Sequence, residues 1–205
     1  MQKTELARES VAFWFGDLSS EGSSTQTQRW FTKDAAFDGE ILERFGPVLE
    51  RAKTGELDSW GSEPRQALAL VILVDKLARN AYRGTAEAFA QDPRGLRVCL
   101  DGQARGLDRA RTFLQRYVFL MPMMHSEDRE IQRRGVLAFH ALSDEAKAAS
   151  ETETVQAMLR SAHEYAGRHA AIIERFGRFP HRNAILGRAS TDEEIAFLAQ
   201  PGSSF

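Results

Sequence analysis

The sequence predicts an all-α fold of about nine helices, packed as helix hairpins in series into a helical array or irregular bundle. Three observations predict it. Apolar residues recur every three or four positions along most of the 205-residue chain. Strand-type alternation is hard to find. Gly, Pro, Ser, Thr and Asp stand where the periodic runs begin and end, as helix caps and stops do. The length fits a single all-α domain over 1–205, large enough to bury a core without staples.

Each element follows from local signals. Thr4 is placed to cap a first helix that ends at Phe13-Trp14-Phe15, with Gly16 as its stop. Residues 17–28 are small and polar and read as a loop. A second helix starts after Asp34, with Phe37, Ile41, Phe45, Val48, Leu49 and Ala52 on its inner face; Gly46-Pro47 is a candidate kink or split, and Gly55 ends it. Pro64 opens a third helix, apolar on most sides from Leu68 to Leu77 and so predicted to be central. A turn at Asn80 to Gly84 and a short helix over 85–90 follow.

Asp92-Pro93 starts the next helix, which Gly106 ends. Another is expected from Asp108 to Phe119, with Pro122 breaking the chain. Ser126-Glu127-Asp128 reads as the cap of a further helix. A long helix over 151–176 carries the stripe Met158, Ala162, Tyr165, His169, Ile172 and Phe176, and Gly177 stops it. Thr191 with Glu194 makes a capping box for the last helix, and the C-terminal Pro201-Gly202-Ser203-Ser204 reads as a frayed end. The tetrapeptide Glu43-Arg44-Phe45-Gly46 recurs as Glu174-Arg175-Phe176-Gly177, with no further repeat beside it.

A net charge of -2 and a pI near 6.2 give no global case for nucleic acid or an anionic membrane. No apolar run approaches a membrane span, and none resembles a secretory core. The one cysteine, Cys99, forms no intramolecular disulfide, which fits a reducing, cytoplasmic setting, and its leucine neighbours predict burial. The chain has no HExxH, Cys pair, P-loop, GxGxxG or nucleophile elbow, so the sequence calls for no metal and no other cofactor.

Three segments hold polar groups that helix packing does not demand. Asp75, Arg79 and Arg83 stand four apart at the end of the apolar helix, with Asn80 among them; a surface ion-pair ladder is the plain alternative. His125, Glu127 and Asp128 offer acid/base groups at a helix start, where acids are expected anyway. The third segment, from Arg168 to Arg188, sets five arginines against one acid: a local charge of +4, leaving -6 for the remainder. Within it Arg178, His181, Arg182, Asn183 and Arg188 follow Gly177 in a loop stiffened by Pro180, a candidate anion site. His169 lies on the apolar stripe, where a buried, hydrogen-bonded histidine is as good a reading as a base. Phe176 and Phe179 between arginines suit base stacking, but the chain lacks a wider basic face.

Through these residues the chain resembles the bacterial family called domain of unknown function 924. The likeness runs in order through Phe13-Trp14-Phe15-Gly16, Trp30-Phe31, Phe37-Asp38, Leu70 to Asn80, His125-Ser126-Glu127-Asp128, Arg175 to Asn183, Leu186-Gly187-Arg188, and Ser190-Thr191 with Glu193-Glu194. The resemblance implies a compact helical array similar to tetratricopeptide repeats and no established activity. It singles out Asp75, Arg79, Asn80, Arg83, His125, Glu127, Asp128, His169, Arg178, His181, Arg182, Asn183 and Arg188. Where the family usually has Asp-Gln-Phe-Pro-Arg-Asn, this chain has Asp75-Lys76-Leu77-Ala78-Arg79-Asn80; the missing Phe and Pro bear on the turn near Asn80 and weaken any role carried over to Lys76.

The leading expectation is a pocket for a small anionic ligand. Arg178, Arg182 and Arg188 would hold a carboxylate or phosphate. Asp75, Arg79, Asn80, Arg83, Glu127, Asp128 and Asn183 would complete the binding wall, and His125, His169 or His181 would move protons if the ligand is turned over. One alternative is a scaffold that binds a peptide in a groove. In another, the loop is a polar latch in which Arg178 and Arg182 pair with Asp75, Glu127 or Asp128.

Overall fold

A computed structural model describes residues 3–16, 27–30 and 32–203. Among these the chain is all-α, with nine α-helices and no strand. Most of the expected loop at 17–28, Phe31 of the Trp30-Phe31 pair, and Ser204 of the expected frayed end lie outside the described residues. The chain divides into two compact units, Met1–Arg83 with Glu87–Pro122, and Gly84–Ala86 with Met123–Phe205.

The first unit is built around one buried rod. α1 (Lys3–Phe15) and α2 (Ala35–Lys53) precede a 3₁₀ turn (Asp58–Ser62) and α3 (Pro64–Val71). A π-helical stretch, Ile72–Leu77, then carries α3 without a break into α4 (Ala78–Ala81). From Ala67 to Ala78 every residue of this rod is buried. α1, α2 and α5 (Asp92–Ala104) pack against it, so the most apolar segment is indeed central. The Asp34 side chain accepts from the N–H groups of Ala36 and Phe37, and the six predicted inner-face residues of α2 are all buried.

The structure corrects several local expectations. Thr4 lies inside α1 and does not cap it. Pro47 sits within α2 without splitting it: Phe45 before it and Val48 and Leu49 after it are all buried, and their burial outweighs the single hydrogen bond that proline removes. Asp108 starts no helix. Its carbonyl accepts the Arg111 N–H in a turn, and α6 (Phe113–His125) begins where the Thr112 hydroxyl accepts from the Gln115 N–H. Pro122 stays inside α6, where Tyr117 to Met124 are buried throughout. The expected helix over 85–90 is a 3₁₀ turn, Ala86–Ala88.

The second unit, entered within α6 at Met123, holds α7 (Arg129–Ala148), α8 (Glu153–Phe176), a 3₁₀ turn (Pro180–Arg182) and α9 (Asp192–Leu198). α7 and α8 form its main helix pair. Asp128 caps α7 by accepting the Ile131 N–H at 2.9 Å. The buried stripe of α8 is Leu159, Ala162, Ala166, His169, Ile172 and Ile173; Tyr165 is 45% exposed. The helix is therefore rotated from the predicted face, and small Ala162 and Ala166 lie on the buried side where α7 packs. The capping box of α9 forms as predicted, with Thr191 Oγ1 accepting from Glu194 N and Glu194 Oε2 from Thr191 N. None of the described helices is long and apolar enough to cross a membrane.

Candidate functional site

In the second unit the chain leaves α8 through Gly177, whose φ of +68° is the left-handed conformation glycine adopts without a Cβ clash. Phe179 then drops into the core with Ile172 and Ile173, and this burial fixes everything around it. Its N–H donates to Glu127 Oε1 at 2.8 Å, and its carbonyl accepts from Arg188. The Arg182 guanidinium lies 4.4 Å from its ring centre and donates through Nη2 to the His125 carbonyl at 3.0 Å. The rings of His169 and His181 each stand 5.5 Å from that of Phe179, and His125 is 6.3 Å from His169. The unit thus gathers Glu127, His169, His181, Arg182 and Arg188 about Phe179, with His125 beside His169 and with Arg178 and Asn183 meeting at Glu194.

Two carboxylates pair with two of the loop's three arginines. Arg188 holds Glu127 with both terminal nitrogens, at 2.7 and 3.0 Å. Arg178 grips Glu194 at 2.7 and 2.8 Å and also donates to the Ala189 carbonyl. Buried Asn183 donates to Ser190 Oγ and Glu194 Oε2. Burial works against ionisation of Glu127, yet Arg188, the Phe179 N–H and nearby Arg182 together hold its carboxyl below the ordinary range. The Arg178 fork, helped by the Thr191 N–H and the Asn183 amide, brings Glu194 down to about 2 against a smaller opposing effect of burial.

His169 is buried, and its Nδ1 lies 2.8 Å from the Tyr165 carbonyl. A carbonyl only accepts, so Nδ1 carries the proton and Nε2 keeps the lone pair in the neutral ring. Asp128 serves as the cap of α7.

Sequence reasoning missed three members of this assembly. Glu194 reads as a capping residue, but both its oxygens also take the Arg178 fork. Buried Gln132 donates to the carbonyls of Met124 and Ser126 and so ties down the His125 turn. Arg129 donates to the carbonyls of Ile173 and Glu174 at the end of α8. No local signal marks Arg129, whose partners lie 44 and 45 positions along the chain.

The Asp75 segment belongs to the first unit. Asp75 is fully buried in the π-helical stretch, with Lys76 Nζ at 3.9 Å and Arg79 Nη2 at 3.7 Å. Arg79 pairs more closely with Asp92, at 2.7 Å. Arg83 holds Asp38 through two nitrogens and also donates to Asn80 Oδ1. Burial pushes the Lys76 ammonium down to about 8, with Asp75 partly offsetting it. This buried lysine, discounted on sequence, is the most perturbed cation of the rod. Among the described residues no group of three or more His, Cys, Asp or Glu side chains is placed to hold a metal ion.

The comparisons agree with this picture at the level of family. The model of a bacterial protein of unknown function, DUF924, matches residues 11–202. A solved structure of a protein of unknown function from Agrobacterium tumefaciens is 34% identical, covers 97% of this chain and 99% of its own, and superposes with a TM-score of 0.76. No curated protein matches the chain. Identity and coverage at this level place fold and family together: the chain belongs to the bacterial family of unknown function DUF924.

Proposed function

We propose that this protein is a helical binding scaffold, and that its Arg178–Arg188 loop is a polar latch that seats the end of the chain on α8. One observation carries the reading: the two-toothed faces of Arg178 and Arg188 are already filled by Glu194 and Glu127. An incoming carboxylate or phosphate would have to displace a carboxylate from each, and freeing a half-buried, hydrogen-bonded ion costs more than a new anion returns. The latch pairs differ from those expected on sequence, since Arg178 takes Glu194 and Arg188 takes Glu127. A bacterial cytoplasmic setting fits the single, buried Cys99.

A second reading keeps the site as a pocket for a small anionic ligand. It is favoured by the ring cluster of His169 and His181 about Phe179, with His125 beside His169.

A thermal-shift screen of anionic metabolites and divalent metals on wild type and Arg182→Ala separates the two. The latch predicts no ligand whose stabilisation depends on Arg182. A compound that stabilises wild type and leaves Arg182→Ala unmoved would return the loop to the status of a binding site, through mass-action linkage.

A further inference from the structure

The first unit contains a cleft of about 720 Å³ between α1, the start of α3 and residues 110–115. Three guanidinium groups line it, from Arg8, Arg65 and Arg111, against one lining carboxylate, Glu63. Arg8 is paired with exposed Glu5 at 2.7 Å. Arg65 and Arg111 have no ion pair among the described residues, and the buried Nε of Arg111 has no hydrogen-bond partner there. Burial, and then the charge of Arg65, press the Arg111 cation downward from its ordinary range, with Asp108 offsetting in part. Two guanidinium groups in mutual repulsion at a cleft wall are the arrangement an anion relieves.

The start of α3 adds to this positive field. Pro64 occupies its first turn, and the N–H groups of a first turn lie outside the helix's own ladder and point along the positive end of its dipole. The uncharged lining is of two kinds. Thr4, Gln66 and Gln115 supply hydrogen-bonding groups, and the α1 face supplies an apolar strip through Val11 and its alanine neighbours. The volume falls in the range of small-molecule sites, roughly 300–1,000 Å³. We propose that this cleft binds a phosphate monoester of a small organic molecule, with the phosphate between Arg65 and Arg111 and the organic part along α1. The site is separate from the latch and stands or falls without it.

Isothermal titration calorimetry with phenyl phosphate, inorganic phosphate and phenol tests the assignment. Wild type, Arg65→Gln, Arg111→Gln and, as a control outside the cleft, Arg133→Gln are compared. Arg65 is exposed, so its substitution leaves the fold intact even if that of half-buried Arg111 does not. The expected result is one-site binding of phenyl phosphate to wild type and the control, weakened about tenfold or more in Arg65→Gln, in line with a charge-assisted pair. Inorganic phosphate binds more weakly and phenol not at all. The proposal is overturned if phenyl phosphate shows no saturable binding to wild type. Equal affinity in Arg65→Gln overturns it too, as does inorganic phosphate binding as tightly as the ester.

Discussion

Both side-chain oxygens of Glu127 are held by Arg188, a residue 61 positions further along the chain, while one of them also receives the N–H of Phe179. The start of α7 and the loop after α8 are thereby joined through a single carboxylate. Glu127→Gln keeps the shape and removes the charge. It is expected to lower unfolding free energy by about 2 kcal/mol, as for hydrogen bonds to charged groups. Arg188→Lys, which loses the fork, should cost a similar amount. The double variant should cost at least about 1 kcal/mol less than the two combined, because the residues act as one unit. Urea unfolding of the four proteins measures this, and strict additivity would contradict the latch.

Glu194 sets an acid limit. Its carboxyl titrates at about 2 in the folded chain against an ordinary 4.5. The unfolded chain therefore takes up this proton first as pH falls. The stabilisation is complete above about pH 4.5 and is lost progressively down to about pH 2. Glu194→Gln should start less stable at neutral pH and lose less on acidification. Urea midpoints taken from about pH 6 to about pH 3 check it, and parallel acid limbs would count against the Arg178–Glu194 pair.

Lys76 gives a slope of the same sign in an alkaline window. Its ammonium is lowered to about 8 in the folded chain from an ordinary 10.5. Between these values the unfolded state binds more protons, so stability rises with pH across that window. Tyr82 and Lys53, both raised from ordinary values of 10.0 and 10.5, begin to remove stability at the upper end of this window. The prediction is a gain on going from about pH 8 to about pH 10 that Lys76→Met abolishes, read from denaturant unfolding.

Gly102 on α5 faces the end of the Phe119 ring. A Cβ built there would stand 2.5 Å from Phe119 Cζ and 3.0 Å from Cε1, and the ring is fully buried. Gly102→Ala is expected to destabilise by about 1–3 kcal/mol through overpacking, although alanine suits a helix better than glycine. Adding Phe119→Leu should recover part of the loss. A thermal melt of Gly102→Ala at or above the wild-type midpoint would refute the close contact.

The tetrapeptide Glu-Arg-Phe-Gly shows where local information stops. At 43–46 it lies inside α2, and at 174–177 it ends α8 with glycine at φ +68°. Residues and propensities are the same in both places. The following segments differ in what they bury: Val48 and Leu49 continue the inner face of α2, whereas Phe179 enters the core only after the chain has turned, with Glu127 and Glu194 waiting for its backbone and for Arg178.

The all-α class, the central apolar rod, the face of α2, the caps at Asp34, Asp128 and Thr191, and the stop at Gly177 were determined by sequence alone. Each rests on spacing or on a side chain that reaches its own backbone within a turn. The π-helical stretch at Ile72–Leu77 was hidden because that segment is buried on every side, charged Asp75 and Lys76 included, and a change of period then leaves no mark on the pattern. Which acid each arginine takes, the rotation of α8, and the continuity of α6 through Pro122 were decided by tertiary structure. Those outcomes depend on surfaces and charges brought together from distant positions, and a charge carries no record in sequence of the partner that packing will set beside it.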